Sequence, residues 1–259
     1  MANLTTLAAV KQYLGITTTG QDLLIPALIA RESAYVETYC GRKFSVVTNT
    51  NKLLNGTGTD RLVLPGEPIL SVSALSILGT VISASPDGIQ SGYVIDDICL
   101  YLVGGFSFGT RFPRGHQNVT CSWLSGYQET ETDFVPTGNT ITPITGGTAT
   151  SVVSVFDNTA NVALTVTGNA PASGQYSFAS GVFTFNAAQY NHSMTMNYYY
   201  VPSPVEQAVI EMVGLDLQQR SNIGINSKSL AGETVTYGNR SMTPSTQEML
   251  QTYRKRMVT

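Results

Sequence analysis

The chain has 259 residues, 42% of them hydrophobic and 12% charged, with a formal net charge of −3. The apolar share is ordinary for a folded protein and the charged share is about half the usual one, so much of the surface is expected to meet other protein. The acidic balance argues against an all-over nucleic-acid binder, no apolar run is long enough to span a membrane, and the start, MANLTTLAAVKQYLG, lacks the basic and apolar pattern of a signal peptide.

Leu4 to Leu14 reads as a short helix with Leu7, Val10 and Leu14 on one face and Gly15 as its stop. A polar turn, Thr17 to Gly20, leads into the stretch from Gln21 to Phe44, the anchor helix of the chain. There Leu24, Ala27, Leu28, Arg31, Ala34, Tyr35 and Tyr39 recur at helical spacing and predict the buried stripe. Asp22 is placed in its first turn, Pro26 near its start, and Gly41 just past its end.

After Phe44 the pattern changes to strands and turns. GTGTD (Gly56 to Asp60) reads as a turn, Arg61 to Leu64 as a short strand, and Pro68 through Ile77 as the next one. Val94 to Leu102 and Val119 to Trp123 are further strands, with the loop Gly104 to Gln117 between them. Strands of this kind following two helices predict a small antiparallel sheet packed on helices.

From Thr132 to Tyr200 there is no Lys or Arg, and Thr, Val, Ser and Phe alternate between Gly, Asn and Pro turns. Five strands are expected, at 152–156, 162–166, 174–178, 182–185 and 194–200, forming a β-sandwich or barrel. The expected organisation is therefore α+β: a helical core with a small antiparallel sheet built from 1–131 and 201–259, interrupted by an inserted all-β domain at 132–200.

Pro202 and Pro204 open a third helix with the stripe Val205, Ala208, Val209, Met212, Val213 and Leu217, and Glu206 in its first turn. Ser221 to Arg240 is polar and Gly-rich, with one strand-like piece from Glu233 to Tyr237. Thr243-Pro244 opens a last helix, with Ser245 and Glu248 at capping-box spacing and Arg254, Lys255 and Arg256 placed in its last turn.

No catalytic constellation emerges. His116 and His192 lie far apart in sequence without a nucleophile-elbow GxSxG, and no phosphate-cradling GxxxxGK[ST] occurs. Glu32 and Glu37 point about 140° apart on a helix and are expected to be solvated or interfacial. Asp96 and Asp97, read within one strand, would face opposite sides. Cys40, Cys99 and Cys121 are odd in number and widely spaced, which suggests buried free thiols. No enzyme activity, cofactor or metal is expected.

Four pieces in order resemble the head–tail connector (adaptor) proteins of tailed bacteriophages. They are TLAAVKQYLGI (Thr6 to Ile16) with AYVETYCGRKF (Ala34 to Phe44), DRLVLPGEPILSVSAL (Asp60 to Leu75), QNVTCSWLSGY (Gln117 to Tyr127), and VPSPVEQAVIEMVGLDLQQR (Val201 to Arg220) continuing through IGINSKSLAGETVTYG (Ile223 to Gly238). The chain departs from the short members of that family at 132–200, which in them is nearly absent. Its ending, Gly174 to Tyr200, resembles a β-module of other phage virion proteins.

The resemblance implies a virion protein of the phage neck, made in the host cytoplasm. Such proteins form a ring, usually of twelve copies, under the portal protein. The ring extends the DNA channel, with DNA passing non-specifically, and carries the tail, stopper or nozzle protein below. A ring needs two different patches that meet head to tail. The arm with Lys228, Glu233, Val235 and Tyr237 is the expected neighbour contact through an added strand, and Tyr253, Arg254, Lys255 and Arg256 are the expected portal contact. Two alternatives remain: a tail-completion (stopper) protein, and a glycan- or receptor-binding module using Phe178, Phe183, Phe185, Tyr190 and Tyr198 to Tyr200.

Overall fold

The computed structural model describes residues 3–66, 68–220, 227–230, 233–236 and 242–255. They fall into two compact units, one made of 1–42 with 129–259 and the other of 43–128.

The first unit begins with α1 (Leu7–Leu14), capped by the Thr6 hydroxyl, which accepts from the Ala9 amide at 3.1 Å. Gly15 ends it in the left-handed region at φ 65°, where glycine carries no Cβ penalty. α2 (Ile25–Cys40) has Pro26 in its first turn and stops at Gly41 (φ 67°), where the Gly41 and Arg42 amides return to the Thr38 and Glu37 carbonyls. Because α2 starts at Ile25, Asp22 lies outside it and instead pairs with Lys11 Nζ at 2.7 Å.

The buried face of α2 also differs from the expected one. Ile25, Ile29, Glu32, Ser33, Val36, Glu37 and Cys40 are buried, whereas Leu24, Ala27, Leu28, Arg31, Ala34, Tyr35 and Tyr39 are half-buried or exposed. Both sets run at helical spacing. The inward set wins because Ser33 Oγ accepts the Leu4 amide at 3.0 Å and Glu32 accepts from Arg31 Nε at 2.6 Å, which makes polar positions tolerable inside.

The second unit holds β1 (Val47–Gly56), β2 (Arg61–Val63), β3 (Ile69–Ile77), β4 (Thr80–Val81), β5 (Gly92–Asp96), β6 (Cys99–Val103) and β7 (Gly115–Ser125). They make two antiparallel sheets, ordered β1-β7-β3-β4 and β2-β6-β5, where a single small sheet is expected from the sequence. The chain after β4 joins their edges: Ile82 donates to the Leu75 carbonyl at 2.8 Å and Ser85 to the Tyr93 carbonyl at 2.9 Å. Leu62, Leu75, Leu100, Phe112, Val119 and Trp123 belong to the shared core. The run 94–102, expected as one strand, is a hairpin of β5 and β6 turning at Asp97 (φ 42°). Asp96 and Asp97 thus sit at a turn rather than on the two sides of a strand.

The first unit resumes with β8 (Gln128–Phe134), β9 (Thr140–Ile141), β10 (Gly147–Asp157), β11 (Val162–Ala163), β12 (Thr165–Val166), β13 (Gln175–Ala179), β14 (Val182–Phe185) and β15 (Ser193–Pro202). Two sheets result, β11-β10-β15-β8 and β12-β13-β14-β9, with β12 and β13 parallel. The stretch 162–166 is expected as one strand, but it changes sheets at Leu164, whose amide bonds the Val155 carbonyl at 2.9 Å. Met194, Met196 and Tyr198 alternate inward along β15 and meet Val155, Phe183 and Phe185 in one core. Gly147 (φ 149°) lets β10 cross β15 closely; a Cβ there would lie 2.1 Å from the Val201 carbonyl oxygen.

β15 runs directly into α3 (Ser203–Gln219), which packs on α1, α2, β10 and β15. A hairpin of β16 (Ser227–Leu230) and β17 (Glu233–Thr236) and then α4 (Pro244–Gln251) complete the described elements, with α4 against α3 and α2. Thr243, not Ser245, caps α4: its hydroxyl accepts the Thr246 amide at 3.1 Å. Strand outweighs helix, so the chain is α+β in the broad sense, but the helices form a layer beside strands rather than a helical core with one small sheet. The compact units also divide at 42/43 and 128/129, and 132–200 shares its unit with all four helices.

Candidate assembly surface

The polar interior of the first unit is built around α2 and α3. Glu206, buried in the first turn of α3, accepts from Thr5 Oγ1 at 3.0 Å and from Thr148 Oγ1 at 2.6 Å. One carboxylate therefore ties the N-terminal segment, β10 and α3, with each oxygen satisfied by a hydroxyl. Farther along α3, Glu211 accepts from Gln207 Nε2 at 3.0 Å and from the fully buried Thr246 Oγ1 of α4 at 2.9 Å. Arg31 bonds both Glu32 and, from its other arm, Asp216 of α3. Burial pushes the Glu32 carboxyl above its ordinary range, against the bond from Arg31, and the Asp216 charge adds to the rise. Glu32 and Glu37 are thus buried within the chain, where the sequence pattern predicts solvated or interfacial carboxylates.

The end of α2 gathers the last described residues. Lys255 donates its amide to the Cys40 carbonyl at 2.8 Å, and the Arg254 guanidinium lies over the Tyr39 ring, 5.1 Å from its centroid. Tyr253 is half-buried, and burial raises its hydroxyl above its usual value, opposed by Arg42. Because α4 ends at Gln251, Arg254 and Lys255 lie beyond its last turn and instead set cations at the negative end of α2. Of the expected contact residues, Tyr253, Arg254 and Lys255 come together here. Lys228 and Val235 face each other across the β16–β17 hairpin, and Glu233 pairs with Leu230. Tyr237 and Arg256 lie outside the described residues.

The hairpin is a two-stranded sheet of its own among the described residues. An isolated ribbon of this size is marginal in water, and among the described residues no further strand pairs with its outer edges. α2 adds an outward face on which Ala27, Arg31 and Tyr35 are exposed, preceded by Leu23 at 97% exposure. Periodicity assigns the face carrying Ala27, Arg31 and Tyr35 to the core.

The aromatic set proposed for glycan or receptor binding is largely internal. Phe183, Phe185 and Tyr198 are in the β-core, Phe178 and Tyr200 are packed against it, and Tyr190 is exposed. An apolar hollow of about 370 Å³ lies beside Leu4, Leu7, Ile29, Ala149, Phe178 and Val201, without converging charged groups. His192 Nδ1 lies 2.7 Å from Asp157 Oδ2, while the other Asp157 oxygen accepts the Thr159 and Ala160 amides, both at 2.9 Å. Burial raises the Asp157 carboxyl, but these hydrogen bonds outweigh it and hold it below its ordinary value. This clasp closes the turn after β10. Among the described residues no group of three His, Cys, Asp or Glu side chains could hold a metal.

Residues 3–100 match the family described as "Head completion protein". That stretch covers α1, α2 and the chain as far as β6, and it includes the first two pieces that resemble the phage connectors, so that resemblance has an independent match behind it. No protein with a curated description matches the chain. Among solved structures, a chain of the "Neck of empty GTA particle computed with C6 symmetry" aligns over 100% of this chain and 95% of its own at 11% identity, with a TM-score of 0.39. A chain of the "Neck of native GTA particle computed with C12 symmetry" aligns over 100% and 94% at 11% identity, with a TM-score of 0.38.

Proposed function

We propose that this chain, matched over residues 3–100 by the head completion family, is a structural protein of a phage-type neck, incorporated into the virion between capsid portal and tail. The family match is the observation that carries the reading, and the ordered pieces as far as Arg220 and beyond extend it along the chain. On this reading the protein works by assembly rather than by chemistry.

The surfaces support a finer assignment. Copies assemble into a ring under the portal, usually of twelve in the family resembled, with the lumen continuing the DNA channel and the lower face taking the tail, stopper or nozzle protein. Outward-facing Ala27, Arg31 and Tyr35 on α2 supply one side of a head-to-tail contact. The β16–β17 hairpin, with Lys228, Glu233 and Val235, adds to a neighbour through its open backbone edges. Tyr253, Arg254 and Lys255, with Arg256 beyond them, face the portal. The strand-rich 132–200 is an addition to the connector plan that serves packing in the neck. Its inward aromatics leave little for a receptor-binding face.

A cryo-electron microscopy reconstruction of purified particles, with symmetry imposed at the neck and then relaxed, tests this. Density for the chain in a ring against the portal is expected. Density at a tail tip or fibre, or absence of the chain from particles by mass spectrometry, would overturn it.

A further inference from the structure

Three exposed arginines of the 43–128 unit lie on two neighbouring segments. The segments are 56–61 (GTGTDR) and 104–117 (GGFSFGTRFPRGHQ), which together hold three arginines, one histidine and a single acid, Asp60. They are laced by backbone bonds: Gly58 donates to the Phe112 carbonyl at 2.7 Å, and Phe112 donates to the Thr59 carbonyl at 2.7 Å. Arg111 and Arg114 flank that rung on one strand, and Arg61 follows two residues after Thr59 on the other, about 7 Å along an extended chain. The Arg114 side chain lies directly over Gly58, where a Cβ would come within 2.9 Å of its Cγ.

The platform is rigid. Asn118 Nδ2 donates to the Pro113 carbonyl at 2.6 Å while its Oδ1 accepts the Gly56 amide at 2.8 Å, and Asn55 Oδ1 accepts the Gln117 amide at 2.8 Å. The Thr57 and Thr59 hydroxyls both hold the Arg61 carbonyl, at 2.9 and 3.0 Å. Arg61, Arg111 and Arg114 are all exposed, and none makes a side-chain ion pair or hydrogen bond among the described residues. Three guanidinium groups left free on a fixed scaffold, in a chain of net charge −3, make a localised polyanion site rather than general stickiness.

We propose that this platform of the 43–128 unit binds the phosphate backbone of duplex DNA without sequence preference, through Arg61, Arg111 and Arg114. The naming of DNA as the phosphate source rests on the neck reading; the site itself does not. Guanidinium forks pair bidentately with phosphate oxygens, and the glycine and threonine segments around them let a backbone approach closely. Phosphate contacts of this kind position a duplex without specifying its sequence. One copy grips weakly, and copies repeated around a channel would act together.

The test measures binding of the full chain to a fluorescein-labelled duplex by anisotropy over a salt series. Three phosphate contacts predict a slope near −2.7 in log affinity against log salt, a loss of roughly forty-fold between about 50 and 200 mM. Arg61→Gln/Arg111→Gln/Arg114→Gln should weaken binding at about 50 mM salt at least about tenfold and flatten the slope, whereas Arg220→Gln should leave both unchanged. Circular dichroism checks that the triple variant remains folded. Equal binding by wild type and triple variant, no binding by wild type at low salt, or equal affinity for polyglutamate, which would mark an acidic protein surface as the partner, would each overturn the proposal. Competition by inorganic phosphate at the concentration of duplex phosphates would assign the site to free phosphate and overturn it as well. A chain absent from the neck would sink the functional reading while leaving this binding result standing.

Discussion

Lys255 donates its backbone amide to the carbonyl oxygen of Cys40 at 2.8 Å. Cys40 is the last residue of α2, so the end of the described chain satisfies a carbonyl that the helix itself cannot. The same corner places the Cys40 thiol 4.0 Å from the Leu250 carbonyl and buries Leu250 completely. α4 has only eight residues, too few to be stable alone, so its helix depends on this docking.

The thiols report on that docking. Burial pushes Cys40 up to about 11 and Cys121 up to about 12, and Cys99 is buried too. The native protein should therefore leave all three unreacted with a disulfide reagent near pH 8, and denaturant should release all three. Leu250→Ala should cost about 2–4 kcal/mol. It should raise the labelling rate of Cys40 selectively, read by mass spectrometry, with Cys121 still protected.

Glu206 is expected to be the most sensitive polar position of the first unit. Glu206→Ala strips the Thr5 and Thr148 hydroxyls of their acceptor and should lower stability by about 2–3 kcal/mol. Glu206→Gln keeps one acceptor and should lose less. Urea titration with a two-state fit of the unit containing α3 separates the two, and equal losses would show that packing rather than hydrogen bonding holds this point.

Arg31 shields a carboxylate whose folded pKa is raised. A raised acid is harder to ionise in the folded state, so its effect on stability becomes unfavourable as pH rises through the folded value. Arg31→Ala should lower stability at neutral pH by about 1–2 kcal/mol, since the Glu32 and Asp216 carboxylates would lose their shared donor. Adding Glu32→Gln should recover most of that loss, and a double-mutant cycle by thermal unfolding measures the coupling.

Asp157 behaves in the opposite sense. Its folded pKa is depressed, so its stabilisation is fully present above the ordinary aspartate value of about 3.9 and is lost as pH falls through the lower folded value. Asp157→Asn should destabilise by about 1–3 kcal/mol at pH 5. The gap from wild type should close as the solution is made strongly acidic. A gap that stays constant below pH 3 would show that the carboxylate charge is not what matters in the clasp with His192.

Much of the element order was legible in the sequence. The spacing of Leu7, Val10 and Leu14, the glycine stops at Gly15 and Gly41, and the proline-led start of α3 each act locally, through backbone conformation and one apolar face. The strand-rich stretch was equally plain, since β-branched and aromatic residues alternated between turns. The free thiols followed from their number and spacing. The site was less visible: the run Arg254, Lys255 and Arg256 reads as the basic end of the last helix, with Tyr253 beside it, but the seat of Arg254 and Lys255 on α2 does not, because Cys40 and Lys255 are far apart in sequence.

By itself the sequence determined the order and type of most helices and strands, because caps, turns and periodicity depend on neighbours within a few residues. It also carried the ordered pieces that relate the chain to phage connectors. Only the tertiary structure decided which face of α2 is buried. Two stripes of similar period competed, and the choice went to the one whose carboxylates and hydroxyl find partners at Leu4, Arg31 and elsewhere. The tertiary structure alone also brought the segments of Arg61, Arg111 and Arg114 together and left these arginines without an ion pair among the described residues. A charge finds or lacks its counter-charge through space, and spacing along the chain does not encode that.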